Sequence, residues 1–462
     1  MPLVHGQNDQ NHRVIVLTDI EADPDDTQSL VRLLLYANQI ELKGLIATTS
    51  CWYKNKVNPE SIARVIKAYG KVRPNLLQHE AGFPTEKYLL SLIKSGLPRY
   101  GMSGVGDEMD SEGSEWIMKE LEKDDVRPLW ISVWGGANTL AQALHKIERT
   151  KTKKEAARLI AKLRVYTISD QDDSGIWMRH QFPDLFYIVS PGDYYRRATW
   201  NAIGSVIPGI DNQRISNDWL AQHIQQDHGP LGAQYPDVSW VMEGDTPAFL
   251  SLIPNGLNDP EHPNHGGWGG RYELLLPDFS KQKQGRSGVP FEAETRKIWT
   301  DAPERYTPYV PNQYHRSIRK DTVHFHDNKT SLWRWRDDFQ RDFAARMDWC
   351  THSFQEANHP PMPILSHPEE IQLMSGESFT LDAFRSTDPD GDNLSFLWFP
   401  YPEAGTYQGN FQLREPENAH LVYGKAPEVA KPETIHIILK VTDKGSPALS
   451  RYKRIVLTIT PD

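Results

Sequence analysis

Short apolar runs alternate with amphipathic segments in the first part of the chain. In residues 27–36, Leu30, Leu33 and Leu34 recur at the spacing of one helix face, whereas residues 14–17 form a continuous aliphatic run. Strands that alternate with helices require crossover connections, which give a mostly parallel sheet with helices on both faces. The pattern therefore predicts an α/β domain. Its predicted strands are residues 14–17, 42–48, 129–133, 164–168, 186–189 and 238–242, and its predicted helices are residues 27–36, 61–68, 139–146 and 155–162.

The pattern changes after this region. Residues 255–288 are rich in Gly, Pro and Asn, which indicates a long loop, and long loops beside a rigid sheet are often functional. A helix is predicted over residues 332–349, where apolar residues recur every four positions. The Pro-rich residues 359–363 then predict a stiff linker.

Beyond the linker, the apolar period changes from that of a helix to that of a strand. This alternation predicts a small immunoglobulin-like β-sandwich, with strands at residues 378–381, 394–399, 434–441 and 454–460. The sequence therefore predicts two domains, an α/β domain over residues 13–355 and a β-sandwich over residues 364–462.

Length and composition agree with this division. With 462 residues, the chain exceeds what one hydrophobic core usually supports. No segment has the ~20 apolar residues of a membrane-spanning helix. The 51 basic and 61 acidic residues give a formal charge of −10, which argues against a nucleic-acid partner. Cys51 and Cys350 can form one disulfide or none.

Residues 1–13 are polar and lack the apolar run of a signal peptide. Two interpretations stay open: a cytoplasmic protein, or a mature form whose leader was replaced by Met1. The 14 Trp, 18 Tyr and 33 Pro favour the mature form. This composition is typical of a protein that binds sugars, because the faces of sugar rings stack on aromatic rings. We therefore expect a periplasmic or secreted protein with a carbohydrate partner.

A dense acidic segment, residues 18–26, follows the first predicted strand and contains Asp19, Glu21, Asp23, Asp25 and Asp26. Carboxylates this close raise one another's pKa when they leave water, so the segment needs either solvent or a cation. Acidic residues also favour a helix N-terminus, but a cap uses only one or two of them. Oxygen ligands without nearby His or Cys predict Ca²⁺ or Mg²⁺ rather than zinc.

Polar residues also follow three further predicted strands. In an open parallel sheet, ligands bind in the crevice outside the carboxyl ends of the strands. We therefore expect these residues to meet the acidic segment at one edge of the sheet and to complete a cation site. The three motifs are Gly135-Gly-Ala-Asn138, Asp170-Gln-Asp-Asp173 and Glu243-Gly-Asp245.

The ordered set of motifs resembles the nucleoside hydrolase superfamily, whose signature is Asp-Thr-Asp, a short Pro/Gly turn, then Asp-Asp and a helix. It is more similar still to the nucleoside-hydrolase-like domain of a cellulose-binding protein family, which also fits the sandwich that follows. The resemblance covers about residues 13–257. The matching motifs are Thr18-Asp19, Asp25-Asp26, Gly135-Gly-Ala-Asn-Thr139, Asp170-Gln-Asp-Asp173 and Glu243-Gly-Asp-Thr-Pro247.

The resemblance implies a set of functional residues. A Ca²⁺ ion would be held by Asp19, Asp26 and Asp245 together with the backbone carbonyl of Asn138. Asp25 would contact a sugar hydroxyl. The ion would hold two vicinal hydroxyls and one water, which positions both reactants.

The water-activating carboxylate has two candidates. Alignment from the strand gives Asp19, with two residues inserted after it, whereas a gapless alignment from the helix gives Glu21; the preserved Thr-Asp pair favours Asp19. Attack at the anomeric carbon would pass through an oxocarbenium-like transition state and invert the anomer. A general acid must protonate the leaving oxygen, and the open candidates are Asp172, Asp173, Glu243 and His265.

Two departures from the family pattern change the expected ligand. Gly244 stands where the family has a His before its distal Asp, and the family's second-strand Asn has no match within residues 49–55. These losses, with the acidic motifs retained, predict a sugar ligand that is not a nucleoside. The sequence thus favours Ca²⁺-dependent hydrolysis of a glycosidic bond in a poly- or oligosaccharide. The alternative is a non-catalytic carbohydrate-binding protein, for instance for cellulose.

Further substrate contacts are expected from the loops near these motifs. Trp177, Trp268 and Arg271, with Asp172 and Asp173, are candidates to stack on and hydrogen-bond a glycan, although a loop Trp equally often anchors its own loop. In the second domain, Asp388-Pro-Asp-Gly-Asp392 resembles PKD- and cadherin-like modules. Its alternating aspartates suit either a Ca²⁺ site or a tight acidic turn.

Overall fold

The computed structural model describes residues 11–278, 288–311, 318–414 and 418–461. Its largest feature is a sheet of eight strands. In chain order these strands are β1 (Arg13–Thr18), β2 (Glu41–Ala47), β3 (Ile93–Ser95), β4 (Leu129–Val133), β5 (Leu163–Thr167), β6 (Phe186–Val189), β7 (Tyr272–Leu275) and β8 (Ile298–Asp301). The buried, mostly aliphatic sequences of β1 and β4 explain why these two strands lie at the centre of the sheet.

The strands lie in the order β3-β2-β1-β4-β5-β6-β8-β7. All neighbouring strands are parallel except β7, which pairs antiparallel with β8. The chain builds outward from β1 in one direction through β2 and β3, and then in the other through β4, β5 and β6. The strand order therefore reverses between β1 and β4, which is where open α/β sheets form their ligand crevice.

Helices connect the strands and cover the sheet. Several of them coincide with segments predicted from apolar periodicity. The helices are α1 (Asp25–Leu35), α2 (Pro59–His79), α3 (Glu86–Ser91), α4 (Glu112–Glu122), α5 (Asn138–Thr150), α6 (Lys153–Ile160), α7 (Ser174–Gln181), α8 (Asn217–Leu220), α9 (Gly229–Gly232), α10 (Pro247–Leu250), α11 (Thr330–Trp333) and α12 (Arg336–Asp348).

The sheet is buried on both faces. Val14 and Val16 of β1 belong to the core formed with α1, α2 and α12, whereas Ile15 and Leu17 belong to the core formed with α4 and α5. This alternation follows from the opposite direction of successive side chains along a strand. The predicted mostly parallel sheet with helices on both faces is therefore confirmed.

The second domain is a β-sandwich. One sheet has the order β13-β18-β17-β15 and the other pairs β14 with β16, and Trp398, Leu439 and Leu457 are fully buried between them. Four short strands lie before it in two pairs, β10 with β11 and β12 with β9. The remaining strands are β9 (Glu304–Tyr306), β10 (Tyr309–Pro311), β11 (Ile318–Lys320), β12 (Phe325–Asp327), β13 (Glu370–Met374), β14 (Ser378–Asp382), β15 (Ser395–Pro400), β16 (Leu421–Lys425), β17 (Glu433–Thr442) and β18 (Ser450–Thr460).

Two of the predicted elements are wrong, and the loop predicted over residues 255–288 contains β7. Residues 238–242 are not a strand: Trp240 has a φ of 66°, which breaks an extended run, and β8 takes the place beside β6 instead. The predicted helix over residues 332–349 is two helices, because the chain turns between α11 and α12 at Trp335.

The two domains share a polar interface beside an apolar one. Asp342 of α12 binds Arg451 of β18, with 2.6 Å between Oδ2 and Nη1, and Tyr452 donates a hydrogen bond to Asp338. The ring of Trp268 is fully buried against Tyr452. These contacts hold the sandwich against α12.

The structure also bears on two expectations from composition. Cys51 and Cys350 are both free, buried thiols, so no disulfide joins them. Among the described residues, no helix is long and apolar enough to cross a membrane.

Candidate functional site

The polar loops predicted to converge do meet at the carboxyl ends of β1, β4 and β5. Gly135, just after β4, approaches Asp19 so closely that an added Cβ would lie 2.6 Å from its Oδ1. The backbone nitrogen of Asn138, at the start of α5, donates a 3.1 Å hydrogen bond to Oδ2 of Asp172. The crevice therefore lies at the point where the strand order reverses, as an open α/β sheet requires.

Five carboxylates form the centre of this crevice, and we name them the aspartate cluster: Asp19, Asp23, Asp25, Asp26 and Asp245. All are buried except Asp23, which is half-buried. Ligand oxygens of Asp23, Asp25 and Asp26 lie within 4.8 Å of one another. Asp245 arrives from a loop more than two hundred residues away in sequence, so the cluster exists only in the folded chain.

The surroundings of the aspartate cluster oppose its negative charge. Burial raises the pKa of Asp19 to about 7, with Asp23 adding to the effect. Burial and the neighbouring carboxylates also raise the pKa values of Asp25, Asp26 and Asp245 well above their ordinary range. Like charges held together out of water are costly, and a bound cation removes that cost.

The donor set fits a hard divalent cation. Oδ2 of Asp245 is buried and accepts no hydrogen bond from any described residue. The available ligand atoms in the aspartate cluster are all carboxylate oxygens, which favour Ca²⁺ or Mg²⁺ over zinc. The residues present therefore fit the calcium ion that the sequence resemblance implies.

Asn138 and Asp172 lie at the rim of the crevice. The Asn138 side chain accepts from the Thr48 hydroxyl at 3.1 Å and donates to the carbonyl of Arg99 at 2.6 Å. Oδ1 of Asp172 accepts from the backbone of Ser174 at 2.9 Å, and burial raises the Asp172 pKa to about 6. Both side chains therefore hold loops together at the edge of the crevice.

The two candidates for water activation lie in different surroundings. Asp19 is buried and belongs to the aspartate cluster. Glu21 is 41% exposed and forms a 2.7 Å ion pair with Arg64 of α2. Hydrogen bonds from Ser61 and Arg64 lower the pKa of Glu21. The structure therefore brings Asp19, and not Glu21, to the cluster.

Two of the four general-acid candidates are engaged away from the crevice. Glu243 is fully buried and receives two hydrogen bonds from Arg32, of 2.5 and 2.8 Å, and a third from Tyr235. His265 pairs with Asp259 at 2.8 Å. Its loop lies at the amino end of the sheet, since the adjacent Glu261 binds Arg164 at the start of β5. Both predictions are therefore wrong, because tertiary partners occupy these groups.

The expected glycan contacts also have structural partners. Trp177 packs its ring edge against Phe182 in the core beneath α7. Trp268 is fully buried at the domain interface, where its backbone nitrogen donates to Asn258. Arg271 is buried and donates to the carbonyl of Pro303 at 2.6 Å. Trp268 and Arg271 therefore do not reach the crevice, and Trp177 anchors its own helix.

Asp173 and the acidic turn of the second domain each bind neighbouring backbone. Oδ1 of Asp173 accepts a 2.8 Å hydrogen bond from the nitrogen of Met102. Asp390 accepts a 2.7 Å hydrogen bond from the nitrogen of His359 and also contacts its ring, which holds the linker. Asp388 accepts hydrogen bonds from the nitrogens of Asp390 and Asp392, as a tight acidic turn does.

Trp200 is a residue of the crevice that sequence reasoning missed. A Cβ on Gly244 would lie 2.7 Å from Oδ2 of Asp25 and 3.0 Å from the ring of Trp200. The nitrogen of Gly244 donates a 3.2 Å hydrogen bond to Asp25. Trp200 therefore fills the space into which the family's His would project, and it explains why glycine is required there. No motif in the sequence marks this tryptophan.

Two other tryptophans lie on loops that carry crevice residues, and their side chains are exposed. Trp240 is 93% exposed, five positions before Asp245, and its φ of 66° is strained for a bulky residue. Trp52 is 46% exposed, and its nitrogen bonds to the Ser50 hydroxyl, which also contacts Asp19. Their exposure is a tertiary property, so composition alone did not single them out.

The sheet order and the acidic crevice define a nucleoside hydrolase-like α/β protein. Residues 13–272 match the family model for "Cellulose-binding Sde182, nucleoside hydrolase-like domain". Residues 378–459 match "Cellulose-binding protein Sde0182, C-terminal domain". The chain belongs to this Sde182 family, as the sequence resemblance predicted.

A solved structure supports the same assignment over almost the whole chain. It is a nucleoside hydrolase-related hypothetical protein from Saccharophagus degradans, described as associated with carbohydrate metabolism. It is 36% identical, the match covers 97% of this chain and 100% of that chain, and the TM-score is 0.82. The predicted nucleoside hydrolase-like fold is therefore confirmed.

Weaker likenesses extend to two other solved structures. A PKD domain from KIAA 1837 protein is 18% identical over 21% of this chain and 86% of its own, with a TM-score of 0.17. The effector protein XOO4466 is 11% identical over 63% of this chain and 87% of its own, with a TM-score of 0.30. Neither likeness is close enough to carry an argument. No curated protein matches the chain significantly.

Proposed function

We propose that this protein binds a carbohydrate of the cellulose class at the aspartate cluster, with Ca²⁺ as cofactor, and does not hydrolyse it. The observation that carries this proposal is the packing of Trp200 against Gly244. The ring of Trp200 fills the position from which the family's His would protonate a leaving group. The family descriptions and the carbohydrate association of the Saccharophagus degradans relative support a carbohydrate ligand.

The crevice offers separate groups for the ion and for the sugar. A bound Ca²⁺ would supply positive charge to which two vicinal sugar hydroxyls can coordinate. Asp25 is placed to accept a hydrogen bond from one of them. The exposed rings of Trp52 and Trp240 supply flat apolar surfaces of the kind on which sugar faces stack.

Among the described residues, the partners of the four general-acid candidates support binding over hydrolysis. Oxygens of Asp172 and Asp173 accept backbone hydrogen bonds, Glu243 is paired with Arg32, and His265 lies at the opposite end of the sheet. A glycosidic oxygen is a poor leaving group unless it is protonated. We therefore interpret the retained acidic motifs as residues that bind a sugar through the cation.

The test is a binding measurement on cello-oligosaccharides and insoluble cellulose, in excess Ca²⁺ and after removal of Ca²⁺ by chelation. We expect binding that needs Ca²⁺ and that falls about five- to thirtyfold in Trp240→Ala, because stacking of one ring contributes roughly 1–2 kcal/mol. The control is Tyr88→Ala, which removes an aromatic side chain that is 39% exposed and whose hydroxyl donates to the carbonyl of Leu42. Equal binding with and without Ca²⁺, or equal losses in both variants, would contradict the proposal.

A second candidate function is Ca²⁺-dependent hydrolysis of a glycosidic bond. The observation that favours it is the placement of Asp19, the candidate water-activating carboxylate, which is buried in the aspartate cluster. Release of reducing sugar from a glycan panel, abolished by chelator and by Asp19→Ala in a folded protein, would establish it. Release of ribose from inosine or uridine would instead indicate nucleoside hydrolysis.

Two further proposals follow from the carbohydrate assignment. We propose that the protein works in the periplasm or outside the cell, where polysaccharide is available as a ligand. Fractionation of the producing cells, with detection of the protein in each fraction, tests this location. We also propose the domain division at residues 13–355 and 364–462. Residues 364–462 expressed alone should then fold as a β-sandwich, as judged by circular dichroism and a cooperative thermal transition, and an unfolded product would contradict the division.

A further inference from the structure

A second group of metal-ligating side chains lies far from the aspartate cluster, at the amino end of the large sheet. One ligand atom from each of Asp259, His262 and His265 lies within 4.8 Å of the other two. Oδ2 of Asp259 is 3.0 Å from Nδ1 of His262 and 2.8 Å from Nδ1 of His265. We name this group the His-Asp group. None of the motifs that carry the family resemblance includes it.

The sequence spacing explains why these side chains meet. They lie three residues apart, and the nitrogen of His262 donates to the carbonyl of Asp259 at 3.1 Å, while the nitrogen of His265 donates to that of His262 at 2.9 Å. Hydrogen bonds between residues three apart give the tight 3₁₀ geometry, in which side chains at i and i+3 eclipse one another. The backbone therefore stacks the three side chains on one face.

The loop that carries the group is already held in place. The side-chain nitrogen of Asn258 donates to the carbonyls of Leu250 and Ile253, at 2.7 and 2.8 Å, and its oxygen accepts from the nitrogen of Trp268. Pro260 and Pro263 further restrict the backbone. The loop therefore holds the three ligating side chains close together before an ion binds. Binding then costs little conformational entropy of the loop.

We propose that the His-Asp group binds a first-row transition metal ion such as Zn²⁺. Two imidazole nitrogens and one carboxylate oxygen suit such an ion, whereas Ca²⁺ and Mg²⁺ prefer oxygen alone. Ligand atoms about 3 Å apart are expected around an ion with bonds of about 2.0–2.2 Å. The His262 side chain is 61% exposed, which leaves an entry path and room for a water ligand.

The position of the group gives the ion a structural role. The ring of His265 lies 4.5 Å, centre to centre, from that of His436 in β17 of the second domain. The carbonyl of the next residue, Gly266, accepts a 3.0 Å hydrogen bond from Arg454 of β18. An ion that fixes His265 therefore also fixes the loop that contacts the sandwich, and it stabilises the domain interface.

The test is calorimetric titration of Zn²⁺ into full-length protein without an affinity tag, in buffer that holds saturating Ca²⁺. We expect one Zn²⁺ per chain and a higher thermal midpoint. His262→Ala should weaken binding at least about tenfold, because even the loss of a partner outside the coordination shell costs about 10- to 100-fold. His262 is exposed, so the variant should fold, and Asp259→Asn provides a second ligand variant.

Two controls make the outcome decisive. His180→Ala removes a histidine that is 46% exposed and is not part of the group, and it should bind Zn²⁺ as the wild type does. Asp245→Asn removes a carboxylate of the aspartate cluster and should also leave Zn²⁺ binding unchanged. No uptake of Zn²⁺ by the wild type, or equal uptake by His262→Ala, would overturn the proposal. A loss of uptake in Asp245→Asn would also overturn it, by placing the ion in the aspartate cluster.

Discussion

The surroundings of Gly244 and Asp245 are formed by residues that are distant in sequence. Asp245 faces carboxylates that follow β1, and Gly244 leaves space for the ring of Trp200. The acidic motif made Asp19, Asp25 and Asp245 recognisable from sequence, because a concentration of carboxylates needs a cation. The packing partner of Gly244 could not be predicted, since nothing in the sequence relates Trp200 to it.

Gly244→Ala is the sharpest single-residue test of this packing. The new Cβ would lie 2.7 Å from Oδ2 of Asp25, so either the carboxylate or the loop must shift. We expect a loss of about 1–3 kcal/mol in the free energy of unfolding, as for other overpacked sites, together with weaker Ca²⁺ binding. Urea unfolding and Ca²⁺ titration measure the two effects. A variant with wild-type stability and affinity would show that the space beside Asp25 is not filled.

Other residues show where residue-level prediction fails. Trp268 and Arg271 lie in a Gly-rich loop and were expected at a ligand, yet both are buried, one at the domain interface and one beside Pro303. Glu243 lies in a family motif but is neutralised by Arg32 of α1. Sequence proximity to a motif does not reveal whether a side chain turns toward the crevice or into the core.

At the scale of elements, the apolar periodicity predicted the strands of the parallel sheet well, since those strands are buried on both faces and read as aliphatic runs. It failed at residues 238–242, where a similar run is a loop with a positive φ at Trp240. It also missed β3, β7 and β8 of the large sheet, and β13 and β16 of the sandwich, which are short and only partly buried. Short amphipathic strands carry less signal than buried ones.

The linker provides an element whose stability should depend on pH. Nδ1 of His79, at the end of α2, lies 2.9 Å from Nε2 of His359, and the His79 ring stacks on Trp349. Burial, together with the neighbouring His359, lowers the pKa of His79 from 6.5 to about 4. The folded state therefore favours neutral His79, and the unfolded chain binds more protons between these two pH values.

The lowered pKa of His79 predicts how the free energy of unfolding changes with pH. The contribution of His79 to stability is complete above pH 6.5 and is lost as the pH falls from 6.5 to 4, by about 1–3 kcal/mol. His79→Phe keeps a stacked ring but cannot be protonated, so its stability should fall less steeply over that window. Urea unfolding at several pH values measures both slopes. Identical slopes for the two proteins would show that His79 is not responsible.

At the scale of the whole molecule, the two domains are joined by buried charges as well as by apolar contacts. Asp342 lies between Arg451 of the sandwich and Tyr36, the residue after α1, with 2.6 and 2.7 Å between the bonded atoms. Removing one partner from a buried charge network leaves the others unpaired. We therefore expect the domains to unfold together.

Asp342→Ala tests this coupling. It should lower the free energy of unfolding by about 3–5 kcal/mol, because Arg451 and Arg346 lose a buried partner. The matched control is Glu115→Ala, which breaks a surface pair with Lys146 and should cost no more than about 1 kcal/mol. Calorimetry of the wild type should show one unfolding transition. Two separate transitions, or equal effects of the two variants, would show that the domains are independent.

The central claim is that distant carboxylates meet to hold a divalent cation. Calorimetric titration of Ca²⁺ into chelator-treated protein, compared with Asp245→Asn, tests it most directly. The account predicts that the wild type binds Ca²⁺ and that the variant binds it at least about tenfold more weakly, a difference of roughly 1.4 kcal/mol or more. A wild type that takes up no Ca²⁺, or a variant with the same affinity, would contradict it.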